Sequence, residues 1–175
     1  MKTTFKNLSQ KEKDEILVVA VKNNNYNLTR LLLKYGANIN NTKNDGDTPL
    51  ITAIQKNYKN IVKLLLQYGA DVNKSGSWGN SPLIIAAYKG YTDMVKLLLK
   101  YKANTNLKSS NGGTPLMYAL LFGFKDIAKL LLRYGTDIHI KDSGGKSAAS
   151  LLSAYKNDED ITKLLKKYKY KIEEK

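Results

Sequence analysis

Apolar residues in this chain come in short bursts at helical spacing, and the bursts themselves return at a fixed interval. Leu50, Ala53 and Ile54 stand at i, i+3 and i+4, as one face of a helix requires. After a polar break at Asn57-Tyr58, Ile61, Leu64 and Leu65 resume the helical spacing, with Val62 and Leu66 widening the stripe. That breadth predicts a second helix buried against its partner and against neighbouring units. Downstream, Leu64-Leu65-Leu66, Leu97-Leu98-Leu99 and Leu130-Leu131-Leu132 follow one another every 33 residues, as do the three prolines, Pro49, Pro82 and Pro115. A period in this range predicts a stack of like units that bury their apolar faces on one another.

The punctuation between the bursts agrees. Pro49 suits a first helical turn, where its missing N–H costs little, and Thr48 suits the cap before it. The break at Asn57-Tyr58 recurs as Gly90-Tyr91 and Gly123-Phe124. Gly36, Gly69 and Gly135 end the second helices as left-handed C-terminal residues. The Gly- and Ser-rich stretch from Asn73 to Asn80 predicts a turn or hairpin into the next unit.

These residues resemble the ankyrin repeat. The run DGDTPLITAIQKNYKNIVKLLLQYGADVN, Asp45 to Asn73, is similar to the family pattern over almost its full length, and units starting at Trp78 and Asn111 repeat it without insertions. The family's usual His after Thr-Pro-Leu is replaced by Ile51, Ile84 and Met117, which removes a hydrogen-bonding option in the turn. The resemblance implies an all-α ankyrin-repeat solenoid of helix-turn-helix units joined by hairpin loops. It implies one domain over 1–175: an N-terminal cap at 12–44, full repeats at 45–77, 78–110 and 111–143, and a C-terminal cap at 144–175, with no room for a second domain. In the first cap Glu15 and Ile16 stand where Thr-Pro would be, and in the last Ser147-Ala148-Ala149 fills that slot. The last unit also gains one residue, since Ile127 to Ile161 and Leu131 to Leu165 are both 34 apart, and its third Leu becomes Lys166. A polar outer face is what a terminal repeat needs.

Composition narrows the chemistry. With no cysteine there are neither disulfides nor thiolate metal sites. The apolar run Ile16–Val21 is far too short to span a membrane, and the first residues lack a signal core, so a cytoplasmic protein is expected, with export by another kind of signal left open. The single histidine, His139, occupies the place of Asn40, Asn73 and Asn106, which makes it a substituted turn residue rather than a general base. Asp93 and Asp126 open second helices, where a carboxylate suits the helix dipole. SGGKSAAS around Gly144 lacks the spacing and the preceding strand of a phosphate loop. No nucleophile has a base beside it, so the chain is expected to be no enzyme and to hold no metal or cofactor.

Function is then expected on surfaces. The resemblance implies that partners bind at hairpin tips and on the exposed side of the first helix. In this register the tips supply Asp45, Asp47, Trp78, Asn80, Asn111 and Lys146; the first helices supply Gln55, Lys56, Ile85, Tyr88, Lys89, Tyr118, Leu121, Phe122, Ala154 and Tyr155. The candidate site is the apolar part of that set, Trp78, Ile85, Tyr88, Tyr118, Leu121, Phe122 and Tyr155, together with Lys89. Clustered apolar groups on a lysine-rich surface mark interaction sites, and Trp and Tyr dominate binding hot spots. The expected partner is a protein with acidic and hydrophobic surface, and a monomer is the expected state. A second surface is electrostatic: the formal charge is +14, and Arg30/Lys34, Lys63, Lys96/Lys100, Lys129/Arg133 and Lys163/Lys167 recur on second helices. Such a stripe is first of all what keeps a repeat stack soluble. The alternative reading is a basic accessory protein that binds nucleic acid or anionic membrane through it, without sequence preference, because base readout favours the Arg fork and the chain has only Arg30 and Arg133. Tyr35, Tyr68, Tyr101, Tyr134 and Tyr168 form a column that is expected to pack as a structural ladder.

Overall fold

The computed structural model describes residues 5–42, 46–152, 155 and 157–173, with the backbone alone for 165 and 168–173. Asp45, Ala154 and the side chains of Leu165 and Tyr168 lie outside the described residues. The helices are α1 (Gln10–Lys22), α2 (Tyr26–Lys34), α3 (Pro49–Gln55), α4 (Lys59–Gln67), α5 (Pro82–Tyr88), α6 (Thr92–Lys100), α7 (Pro115–Leu121), α8 (Lys125–Arg133), α9 (Ala148–Leu152) and α10 (Glu159–Glu173). Among the described residues the only β pairing is an isolated bridge between Lys141 and Ser147, so the fold is all-α. The chain divides into two compact units, Met1–Ser77 and Trp78–Lys175. In the first, α1 pairs with α2 and α3 with α4, and the pairs stack α1 on α3 and α2 on α4. In the second, α5 pairs with α6 and α7 with α8; α5, α7 and α9 stack in one layer and α6, α8 and α10 in the other.

Each short first helix starts for the reason its sequence predicts. Thr48, Ser81 and Thr114 are extended at the N-cap, and their hydroxyls accept from the N–H of Ile51, Ile84 and Met117 at 3.2, 3.3 and 3.4 Å. Each is followed by a proline in the first turn. Asp93 and Asp126 lie in the first turns of α6 and α8. α1 departs from the register: it begins at Gln10, upstream of Ile16, because no proline sets the start and Ser9 forms a capping box with Glu12. The Ser9 hydroxyl bonded to Glu12 holds that carboxyl below its ordinary range.

Second helices end on a left-handed residue at Gly36, Gly69, Lys102 and Gly135, with φ of 81, 86, 63 and 76°. Lys102 is the one residue of the four that carries a Cβ into this conformation. Lys102→Gly is expected to raise the unfolding free energy by about 0.5–1 kcal/mol, the left-handed penalty less the entropy of a glycine. Urea denaturation measures it, and a destabilised variant would contradict the assignment.

The following turn explains the acids and the histidine. Side-chain oxygens of Asn38, Asp71, Asn104 and Asp137 accept from the N–H two residues on, at Asn40, Asn73, Asn106 and His139. Asn40 and Asn106 each reach one repeat further, their Oδ1 accepting from Asp71 N and Asp137 N at 2.9 Å. His139 is an exposed member of this turn series.

Two expectations are corrected. Tyr68 and Tyr134 are exposed, so these two are not packed rungs of a ladder, whereas Tyr35 and Tyr101 are half-buried; what recurs is the backbone role of all four as C-caps of α2, α4, α6 and α8. Asp47, expected at an open tip, is buried, because its carboxylate accepts from Ser77 N and Gln55 Nε2, both at 2.8 Å.

Candidate functional site

The second unit opens on a hairpin whose tip is Trp78-Gly79. Trp78 has φ 59° and ψ 24° and Gly79 has φ 67°, consecutive left-handed residues of the kind a type I′ turn requires. Asn, Asp or Gly normally fills the first of these places, and a bulky residue there is a steric outlier. The turn is held all the same: the Trp78 carbonyl accepts from Ser110 N at 2.8 Å. Gly79 is needed as well, since a Cβ at that position would meet Ser110 N at 3.0 Å. The indole stands 82% exposed.

From this tip a row of rings runs across the inner layer. Tyr118 lines a depression beside Trp78, and its ring meets Tyr88 edge to face at 5.9 Å. Tyr88 meets Phe122 edge to face at 5.0 Å, and Phe122 stacks on Phe124 at 6.3 Å. Aromatic pairs favour these offset and perpendicular arrangements, so the rings brace one another while Tyr88 and Phe122 each remain 47% exposed. Leu121 is exposed beside them. Lys89, the C-cap of α5, places Nζ 5.9 Å from the Tyr88 ring. Tyr155 is half-buried, its hydroxyl donating to the Leu120 carbonyl at 2.8 Å, with Lys125 Nζ 6.0 Å from its ring.

The structure thus brings together Trp78, Tyr88, Lys89, Tyr118 and Phe122 on the second unit, with Leu121 exposed beside Phe122 in the chain and Tyr155 held on Leu120 and Lys125 instead. Ile85 is different: at 8% exposure it is core. α5 packs on both α6 and α7, and Pro82 through Ala87 are all buried, leaving only Tyr88 of that helix to face outward. Phe124 was not among the expected residues. Its ring lies against Gly90, where a Cβ would meet it at 2.7 Å, so the glycine that makes the break also makes room for the ring. The recurring aromatic after Gly90 and Gly123 was the available signal.

The outer layer is less uniformly cationic than its sequence implies. Lys129 Nζ lies 2.8 Å from Asp160 and 3.9 Å from Asp158, and Lys163 lies 3.5 Å from Glu159. The hydrogen bond that Lys129 donates to Asp160 raises Lys129 above its ordinary range, and the same bond lowers Asp160. Asp158 is lowered as well, chiefly by the Ile161 N–H it accepts. Lys96, Lys100, Arg133 and Lys167 are exposed on α6, α8 and α10; in the first unit Arg30 and Lys34 on α2 and Lys63 on α4 are exposed.

No candidate metal-ligating cluster occurs among the described residues, and no helix of the described residues is long and apolar enough to cross a membrane. No curated protein matches the chain. The family model for ankyrin repeats, three copies in length, matches residues 2–76 and again 73–142. Such repeats are generally protein–protein interaction modules, and proteins built from them are typically noncatalytic. With helix pairs, caps and left-handed turns in one recurring register beneath that match, the chain belongs to the ankyrin repeat family.

Proposed function

We propose that this protein is a noncatalytic scaffold that binds another protein through the tips and inner helices of its second unit, with Trp78, Tyr88, Lys89, Tyr118, Leu121, Phe122 and Tyr155 as the contact set. The partner carries apolar anchors amid acidic groups, and the scaffold acts as a cytoplasmic monomer in an adaptor, inhibitor or immunity role. One observation carries the reading: an indole 82% exposed on a backbone of φ 59°. Neither property helps the chain fold. The exposed ring buries little, and the left-handed backbone costs about 1–2 kcal/mol for a residue with a side chain. An exposed aromatic on a strained turn whose backbone is hydrogen-bonded in place is a preformed anchor point, so the backbone beneath it loses little ordering entropy when a partner covers it.

Two measurements test this together. Trp78→Gly is expected to stabilise the fold by about 1 kcal/mol, through relief of the left-handed strain. In a nuclease-treated pull-down at moderate salt, Trp78→Ala/Phe122→Ala is expected to lose a protein that the wild type recovers. If both chains recover the same set and high salt strips it, the lysine-rich outer faces are the working surface and the proposal fails.

A further inference from the structure

The two ends of the aromatic row differ in chemistry. At the hairpin end, Trp78, Asn80, Ser109, Ser110, Asn111 and Tyr118 line an open depression of about 270 Å³ with no charged side chain. Asn111 Oδ1 accepts from Tyr118 Oη at 3.0 Å, from Gly113 N at 3.2 Å and from Ser109 Oγ. Three donors on one carboxamide oxygen set the orientation of that amide and leave its NH2 as a donor. Trp78 Nε1 is a second donor, with no accepting capacity. A rim of uncharged donors suits the carbonyl oxygens of an extended chain, which lack partners, better than those of a helix, which are already paired.

At the other end stands Lys89. Neither α5 (PLIIAAY) nor α7 (PLMYALL) carries a carboxylate. Of the acids nearby, Asp158 pairs with Lys125 at 3.3 Å, Asp160 pairs with Lys129, and Asp93 and Asp126 sit in the first turns of α6 and α8, at their positive ends. Lys125 is therefore offset, whereas Lys89 is exposed and makes no ion pair among the described residues. The face is neutral and donor-rich at the tip and cationic at the base.

Building on the binding reading above, we infer that this face takes a polyproline II segment of a partner protein in which an apolar side chain is followed, three residues along the chain, by a carboxylate. The apolar group sits against Trp78 and Tyr118, and the carboxylate pairs with Lys89. The rings bound the spacing: Tyr118 and Lys89 Nζ each lie 5.9 Å from Tyr88, so at most two such steps separate them. In a polyproline II segment, side chains three residues apart share a face and lie about 9 Å apart along the axis, within that limit.

Selection of random phage-displayed dodecapeptides on the full chain, on Trp78→Ala and on Lys89→Glu tests the inference. The wild type is expected to enrich Asp or Glu three positions from an aliphatic or aromatic residue. Trp78→Ala should enrich nothing, and Lys89→Glu should replace the acid with Lys or Arg. By fluorescence polarisation, a labelled consensus peptide should bind Lys89→Glu about tenfold more weakly than wild type, and Lys96→Glu on the outer layer as well as wild type. Both lysines are exposed, and circular dichroism checks that the variants fold. A consensus without the acid, an acid that survives Lys89→Glu, or the absence of Trp78-dependent enrichment overturns the inference. If the pull-down partner still depends on Trp78 and Phe122 while the selected peptides lack the acid, the interface stands and this segment assignment alone fails.

Discussion

Replacing Gly112 with alanine is expected to lower the unfolding free energy by about 3 kcal/mol, because two separate costs fall on one atom. The backbone there has φ 80°, a conformation that costs an L side chain about 1–2 kcal/mol. The added Cβ would also meet Asp142 Cα at 2.8 Å and Ser143 N at 2.9 Å. These are backbone atoms that cannot rotate aside, and they are held close because Ser143 N donates to the Asn111 carbonyl at 2.9 Å. Gly145 is the matched control. It fills the same turn position in the last hairpin with φ 78° and has nothing within 4 Å, so alanine there should incur the conformational cost alone. Thermal unfolding followed by circular dichroism separates them, at about 2–4 °C per kcal/mol for a chain of this length. Equal shifts would refute the close stacking of hairpins in the second unit.

Leu98→Ala is expected to cost about 3–5 kcal/mol, the range for a fully buried leucine whose surroundings cannot collapse. Leu98 is 0% exposed in α6, among Met94, Val95 and Leu99, with α5 on one side and α8 on the other. Both neighbouring helices are themselves held by packing, so little can move into the void. The adjacent Leu97 is only half-buried, and its truncation should cost about 1 kcal/mol, as for most partly exposed sites. Guanidinium denaturation of the two variants gives the difference directly. A comparable loss at both positions would mean that the sequence triplet Leu97-Leu98-Leu99 does not have the burial pattern described for α6.

Most of the fold was legible because its determinants are local and repeated. Thr48, Ser81 and Thr114 cap helices through their own hydroxyls, the following prolines need no N–H, and Gly36, Gly69 and Gly135 occupy a backbone region that a side chain disfavours. Such signals survive in one sequence because each acts within a few residues. What was missed depends on contacts from elsewhere in the chain. Ile85 looks like a groove residue from its place on α5, yet a seven-residue helix flanked by two others has almost no free perimeter. Asp47 looks like an open tip, but Ser77 N, thirty residues on, reaches back to bury it. Lys129 reads as one rung of a basic stripe, yet Asp158 and Asp160 of the last unit stand against it. The start of α1 is a local signal too: Ser9 and Glu12 carry the capping-box spacing, upstream of Glu15-Ile16, which fill the Thr-Pro place of the other units. The aromatic row was half legible, since Tyr88 and Phe122 could be placed by register but their perpendicular bracing could not.

Trp78 is the only tryptophan in the chain, and it is already in water when the protein is folded. Its emission should therefore change little on unfolding, because the indole moves from one aqueous setting to another. Covering it with a partner would move it out of water and shift the emission toward the blue. The molecule thus carries an intrinsic reporter that is nearly silent about its own folding and responsive to occupancy at the hairpin tip, so docking can be followed without a label in a sample whose integrity is monitored separately through its helices.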